Sequence, residues 1–150
     1  NSYEEVVESI EEFKHHINVQ FTVDDLFHLQ RGGRISKTSA IVGSALNLKP
    51  LLYISAAGTL STAGTVRGRK KSLHALVEKM KATLEENTDY SLPVGIVHGN
   101  CLEDAQVVAE LVKEQTQFQD IIINDISPSI GTHAGPGALG ILYYGQPRKE

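Results

Sequence analysis

Apolar residues recur at helical spacing at the start of the chain: Tyr3, Val6, Val7, Ile10, Phe13 and Ile17. Residues three and four apart share one helix face, so this stretch predicts an amphipathic helix. Ser2 and Glu5 have the spacing at which each side chain satisfies the other's backbone donor, which marks the helix start. The stripe is strong enough to need a partner surface. Val19 to Val23 alternates like a short strand. Asp24 or Asp25 can cap a short helix through Leu26 and Leu29, and Gly32-Gly33 stop it. Ser36 can cap a further helix, Lys37 to Leu46.

Lys49-Pro50 introduces a strand, Leu51 to Ile54. Ala57-Gly58 reads as a turn and Thr59 to Val66 as the returning strand, so a hairpin is expected. Leu73, Leu76, Val77, Met80 and Leu84 form the stripe of a long helix from about Gly68 to Glu86, with Lys81 and Glu85 paired on its outside. Leu92 to His98 reads as a strand. Asn100 and Glu103 suit the cap of a helix to Gln115 that buries Ala105, Val108, Ala109 and Val112. Asp120 to Ile126 is a continuous apolar strand, a pattern that suggests burial on both faces. Leu139 to Tyr144 favours a final strand. Strands alternating with helices predict an α/β fold, a mixed β-sheet packed with helices, with 92–126 as a βαβ unit.

Composition narrows the function. With 150 residues and 41% hydrophobic content, one domain with a real core is expected. A net charge of −4 argues against wholesale binding of nucleic acid or anionic membrane. No apolar run approaches a membrane span, and insertion is not expected. The single Cys101 excludes an internal disulfide and a cysteine-based zinc site. A cytoplasmic location is the default.

The most specialised stretch is Gly131-Thr132-His133-Ala134-Gly135-Pro136-Gly137-Ala138-Leu139-Gly140, which reads as a loop built to hold something. Glycines let the backbone approach a ligand, and His133 can donate to a carboxylate or change charge near neutral pH. Equally, His133 can simply hold the turn through loop carbonyls. His98 is a second candidate at a strand end, more in keeping with a structural role. His15 and His16 are expected to face solvent. Arg31-Gly32-Gly33-Arg34 precedes a helix start and forms a possible anion cradle, or only a glycine helix stop between surface arginines. Arg67-Gly68-Arg69-Lys70-Lys71 opposes a helix dipole, which suggests docking of an acidic or phosphorylated partner, with a solvated charge run as the alternative. Nucleophile elbows, P-loops, zinc motifs and metal clusters are absent. Catalytic residues and metal ligands are therefore not assigned.

Four motifs follow one another in order: Leu29 to Ser36, Leu48-Lys49-Pro50-Leu51-Leu52, Val66 to Lys71, and Gly131 to Gly137. The chain resembles the DegV family of bacterial fatty-acid-binding proteins over nearly its whole length from about Phe21. The resemblance implies two domains with a fatty acid between them. Residues 1–20 would be a connecting helix from an upstream domain, and 21–150 the C-terminal lipid-binding domain. Family members resemble the lipid-binding subunit of fatty acid kinase, a carrier that presents an acyl carboxylate to a separate ATP-dependent kinase for phospholipid synthesis. By that resemblance Thr132, His133 and Arg34 lie near the carboxylate, and Arg67 and Arg69 belong to the kinase-docking surface. The ligand is a long-chain fatty acid, no cofactor is implied, and this chain is not itself an enzyme. Ala40, Ile41, Ala45, Leu51 and Ile54 are expected wall residues for the acyl chain.

Two other readings remain. One is a small-anion enzyme with His133 as acid or base and Arg34 as clamp. The other is a non-catalytic interaction domain.

Overall fold

The computed structural model describes residues 2–35 and 46–149. The expected helix beginning at Lys37, and Ala40, Ile41 and Ala45 within it, lie outside the described residues.

Helix α1 runs Tyr3–His16 and opens on the expected capping box, with Ser2 and Glu5 each bonding the other's backbone amide. Strand β1 (Ile17–Thr22) is followed by α2 (Leu26–Arg31), capped by the Asp25 side chain. Strands β2 (Leu48–Ile54) and β3 (Leu60–Arg67) make the expected hairpin. Then come α3 (Arg69–Lys81), β4 (Val94–His98), α4 (Leu102–Gln115), β5 (Ile121–Asp125), α5 (Pro128–Ala134) and β6 (Leu139–Tyr144).

The six strands form one sheet in the order β3-β2-β1-β6-β4-β5, with β4 and β5 parallel and the other pairings antiparallel. The expected α/β class and βαβ unit are both present. The sheet domain begins at Ile17, because β1 lies inside the sheet between β2 and β6. A boundary at residue 20 would cut that strand.

Helices α3 and α4 cover one face. Leu76, Val77 and Met80 of α3 and Val108 and Val112 of α4 are fully buried against Val94, Ile96, Ile141 and Tyr143. Side chains alternate between the faces of a strand, and β1 exploits this in an unusual sense. Its polar residues Asn18, Gln20 and Thr22 are the buried set, whereas Ile17, Val19 and Phe21 are only half-buried. The apolar side of β1 faces away from the two helices.

Several expectations are corrected here. Helix α3 stops at Lys81 because Thr83 turns its hydroxyl onto the Met80 carbonyl and the Tyr143 phenol. Lys81 pairs with Glu78 and reaches Gln115, not Glu85. The α4 start carries no side-chain cap, and Asn100 takes a left-handed turn at φ 53° ahead of Cys101. Strand β5 is an edge strand with Ile122 48% exposed, so its apolar run is not covered on both faces. His16 does not face solvent: it stacks on Tyr144 and bonds the Gly145 carbonyl at 2.8 Å.

Candidate functional site

The sheet face opposite α3 and α4 carries the site. A cavity of about 570 Å³ lies on it, floored by Val19, Phe21, Gly140 and Leu142 and walled by α2 and α5. Its polar side chains are those of Arg34, Ser129 and His133. Ile54 lines it as expected, but Leu51 points into the helix-covered core.

The glycine-rich stretch is not a loop throughout. Pro128 sits in the first turn and residues Pro128–Ala134 coil into α5, placing His133 in the last turn of a helix. Proline suits that first turn because its missing N–H has no helical partner there. Gly135 ends the helix at φ +78°, and a Cβ on it would lie 2.6 Å from the His28 ring. Only glycine lets α2 and α5 close this far. The His28 Nε2 donates to the Thr132 carbonyl at 2.8 Å and fastens the two helices. Beneath them Leu26, Leu29, Leu52, Ala134 and Ala138 form a second small core.

Gly32 performs a matching task from the other side. A Cβ there would stand 2.9 Å from His133 Nδ1. That nitrogen is buried and has no hydrogen-bond partner among the described residues. Arg34 follows the glycine stop and donates from its guanidinium to the Gly32 carbonyl at 2.6 Å. Its side chain is otherwise exposed at the cavity rim. Arg34 and His133 are thus brought to one corner through Gly32.

Thr132 is not brought there. It is exposed, its hydroxyl donates to the Pro128 carbonyl at 2.8 Å, and it does not line the cavity. Ser129, one turn earlier, does line it; a loop reading of this stretch conceals it, since only a helix brings it beside His133. A helix places residues three and four apart on one face, which puts Ser129 and His133 together.

Arg67 and Arg69 separate. Arg67 ends β3 in an exposed position. Arg69 is partly buried, pairs with Asp104 at 2.8 Å and contacts the Cys101 sulfur at 3.6 Å. It ties α3 to the start of α4. Burial pushes the Cys101 thiol up, and the Arg69 charge opposes this only in part. His98 is buried, and its Nδ1 accepts from the Cys101 amide at 3.3 Å, in a structural position. Among the described residues no cluster suits a metal ion, and no helix is long and apolar enough to cross a membrane.

The geometry defines an α/β domain with one sheet face sealed by helices and the other shaped as an apolar groove with a polar corner. The DegV family model, described as "Uncharacterised protein, DegV family", matches residues 1–146, and the chain belongs to that family. A DegV domain-containing protein of Clostridium perfringens is 38% identical over 148 residues, covering 99% of this chain and 50% of that protein. The solved structure of a Ruminococcus gnavus DegV family protein with vaccenic acid superposes with a TM-score of 0.82 at 30% identity. That match covers 95% of this chain and 50% of the other. The Streptococcus pneumoniae fatty acid kinase (Fak) B3 protein, loaded with linoleic acid, gives a TM-score of 0.82 at 28% identity over 96% of this chain and 50% of its own. The chain spans about half the length of the curated relatives it matches.

Proposed function

We propose that this domain binds a long-chain fatty acid and presents its carboxylate to a separate ATP-dependent kinase. The observation that carries this reading is the inverted burial of β1, which leaves an apolar sheet face open in front of a polar corner. An acyl chain gains about 0.8 kcal/mol per buried methylene, so an apolar groove suits it. A carboxylate is costly to bury without hydrogen bonds. Arg34, Ser129 and His133 supply donors of the right kind at one end, and Thr132 holds α5 in place through its carbonyl. Vaccenic and linoleic acids bound to two structurally similar proteins support the ligand class.

Among the described residues the groove is open, and the relatives are about twice as long as this chain. In the proposal an upstream domain, joined through α1, covers the open face and completes the site. Arg67 belongs to the kinase-docking surface, with Lys70 and Lys71 exposed near it. Arg69 supports that surface from within through Asp104. The carrier performs no chemistry, uses no cofactor and works in the cytoplasm.

The test is mass spectrometry of an organic extract from the natural protein that contains this chain, purified without added lipid. A stoichiometric fatty acid that is lost in His133→Ala is the expected result. Formation of acyl phosphate only when kinase and ATP are added completes the carrier assignment. Folded protein that neither carries nor takes up fatty acid overturns it. Turnover of a small anionic substrate that vanishes in His133→Ala would replace it with the enzyme reading.

A further inference from the structure

A second cavity of about 330 Å³ lies on the same sheet face. Its lining includes Phe13, Ile17, Gly95, Ile122 and Tyr144 and is mostly apolar, with Asn124 the one amide side chain on it. The two cavities share Val97 and Leu142. The first compartment holds Arg34, Ser129 and His133, the second carries no charged side chain, and they meet at two side chains.

Strand register explains the meeting point. Leu142 on β6 lies opposite Val19 on β1 and opposite Gly95 on β4. Gly95 in turn lies opposite Ile122 on the edge strand β5. On the β1 side Leu142 abuts a branched residue. On the β4 side it abuts a position with no side chain, so the floor drops there. Leu142 and Gly95 thus stand between the first compartment and the second.

Building on the fatty-acid reading, we propose that Gly95 sets acyl-chain length: it is the pass through which the tail of a long fatty acid enters the far compartment. The backbone does not require glycine at this point, since Gly95 is not among the positive-φ glycines. A Cβ there would meet Leu142 Cβ at 3.6 Å, an ordinary contact. A side chain at 95 therefore fits the strand while filling the pass. Glycine in a strand interior otherwise weakens it and often marks a close approach by a ligand. Each methylene admitted beyond the pass is worth roughly fourfold in affinity. Short acids that end before Leu142 are indifferent to residue 95.

The experiment measures dissociation constants for decanoic, dodecanoic, palmitic and vaccenic acids with the natural protein and with Gly95→Val and Gly95→Ala. Circular dichroism and thermal melting establish that both variants fold. Affinity that climbs with length in the parent and levels off in Gly95→Val is expected. The long acids should lose at least about tenfold and the short ones little, with Gly95→Ala intermediate. Unchanged length dependence in folded variants overturns the proposal and leaves the carrier reading standing. Equal loss at every length also overturns it, because residue 95 would then act on the head of the ligand. A parent that binds none of the acids overturns both readings together.

Discussion

The two faces of the sheet obey opposite rules. The helix-covered face is closed by Leu76, Val77, Met80, Val108 and Val112, each with no exposed surface, yet β1 offers it Asn18, Gln20 and Thr22. The open face receives the apolar half of β1 and has cavities where helices would otherwise pack. The lesson is that burial and hydrophobicity can separate along one strand. The covered face supplies stability. The open face holds apolar side chains in reserve, at a cost in exposed area.

Exchanging substitutions between the faces tests this division. Leu76→Ala, on the covered face, should cost about 2–5 kcal/mol in urea unfolding, because the cavity it leaves cannot collapse fully. The matching change on the open face, Leu142→Ala, should cost less than half of that, because Leu142 already borders empty space. Equal losses would break the comparison. His133→Ala should lower fatty-acid affinity by about tenfold to a hundredfold, the worth of a hydrogen bond to a charged group, while the melting temperature barely moves. Gly32→Ala should act on the same corner by pushing against His133, costing about 1–3 kcal/mol of stability together with affinity.

A pH titration probes the covered side. Burial raises both the Cys101 thiol and the Tyr143 phenol above their ordinary values of 9.0 and 10.0. In the unfolded chain these groups ionise first. The stability they contribute is therefore complete below pH 9 and drains away as pH rises through their folded values. Melting temperature should fall across that alkaline range, and less steeply in Tyr143→Phe. Alkylation of Cys101 should be slow in the folded protein and rise on unfolding. The smallest effect is expected at Arg67→Ala: stability within about 0.5 kcal/mol, fatty-acid affinity unchanged, and acyl phosphate formation with the kinase reduced.

Much of the framework was legible because its signals are local. The Ser2–Glu5 box, the Ala57-Gly58 hairpin and the period of α3 each rest on residues within a few positions of one another. The corner of the site was half legible. Arg34 and His133 stand out by type, but Ser129 does not: the glycines from Gly131 read as loop, and the only sign of a helix is Pro128 after Ser127. Thr132 enters through the family resemblance alone, and the helix turns it to a different side from His133. Which side of β1 the helices would cover depends on β6 and β2 alongside it, and alternation alone is silent on that. The exposure of Ile122 has the same origin: three consecutive isoleucines read as interior, and only strand order makes β5 an edge.

Helix α1 buries none of its residues, and its last turn is held by Phe13 and His16 against the ring of Tyr144. A helix of 14 residues is marginal on its own. Its amides should thus exchange with deuterium through local opening, well before those of the central strands. Tyr144, Phe13 and Ile17 also line the far compartment. Anything lodged there leans on the same aromatic hinge that fastens the helix. Thermodynamic reciprocity then links the two events: if occupancy stabilises the seated α1, a firmly seated α1 raises the guest's affinity by the same factor.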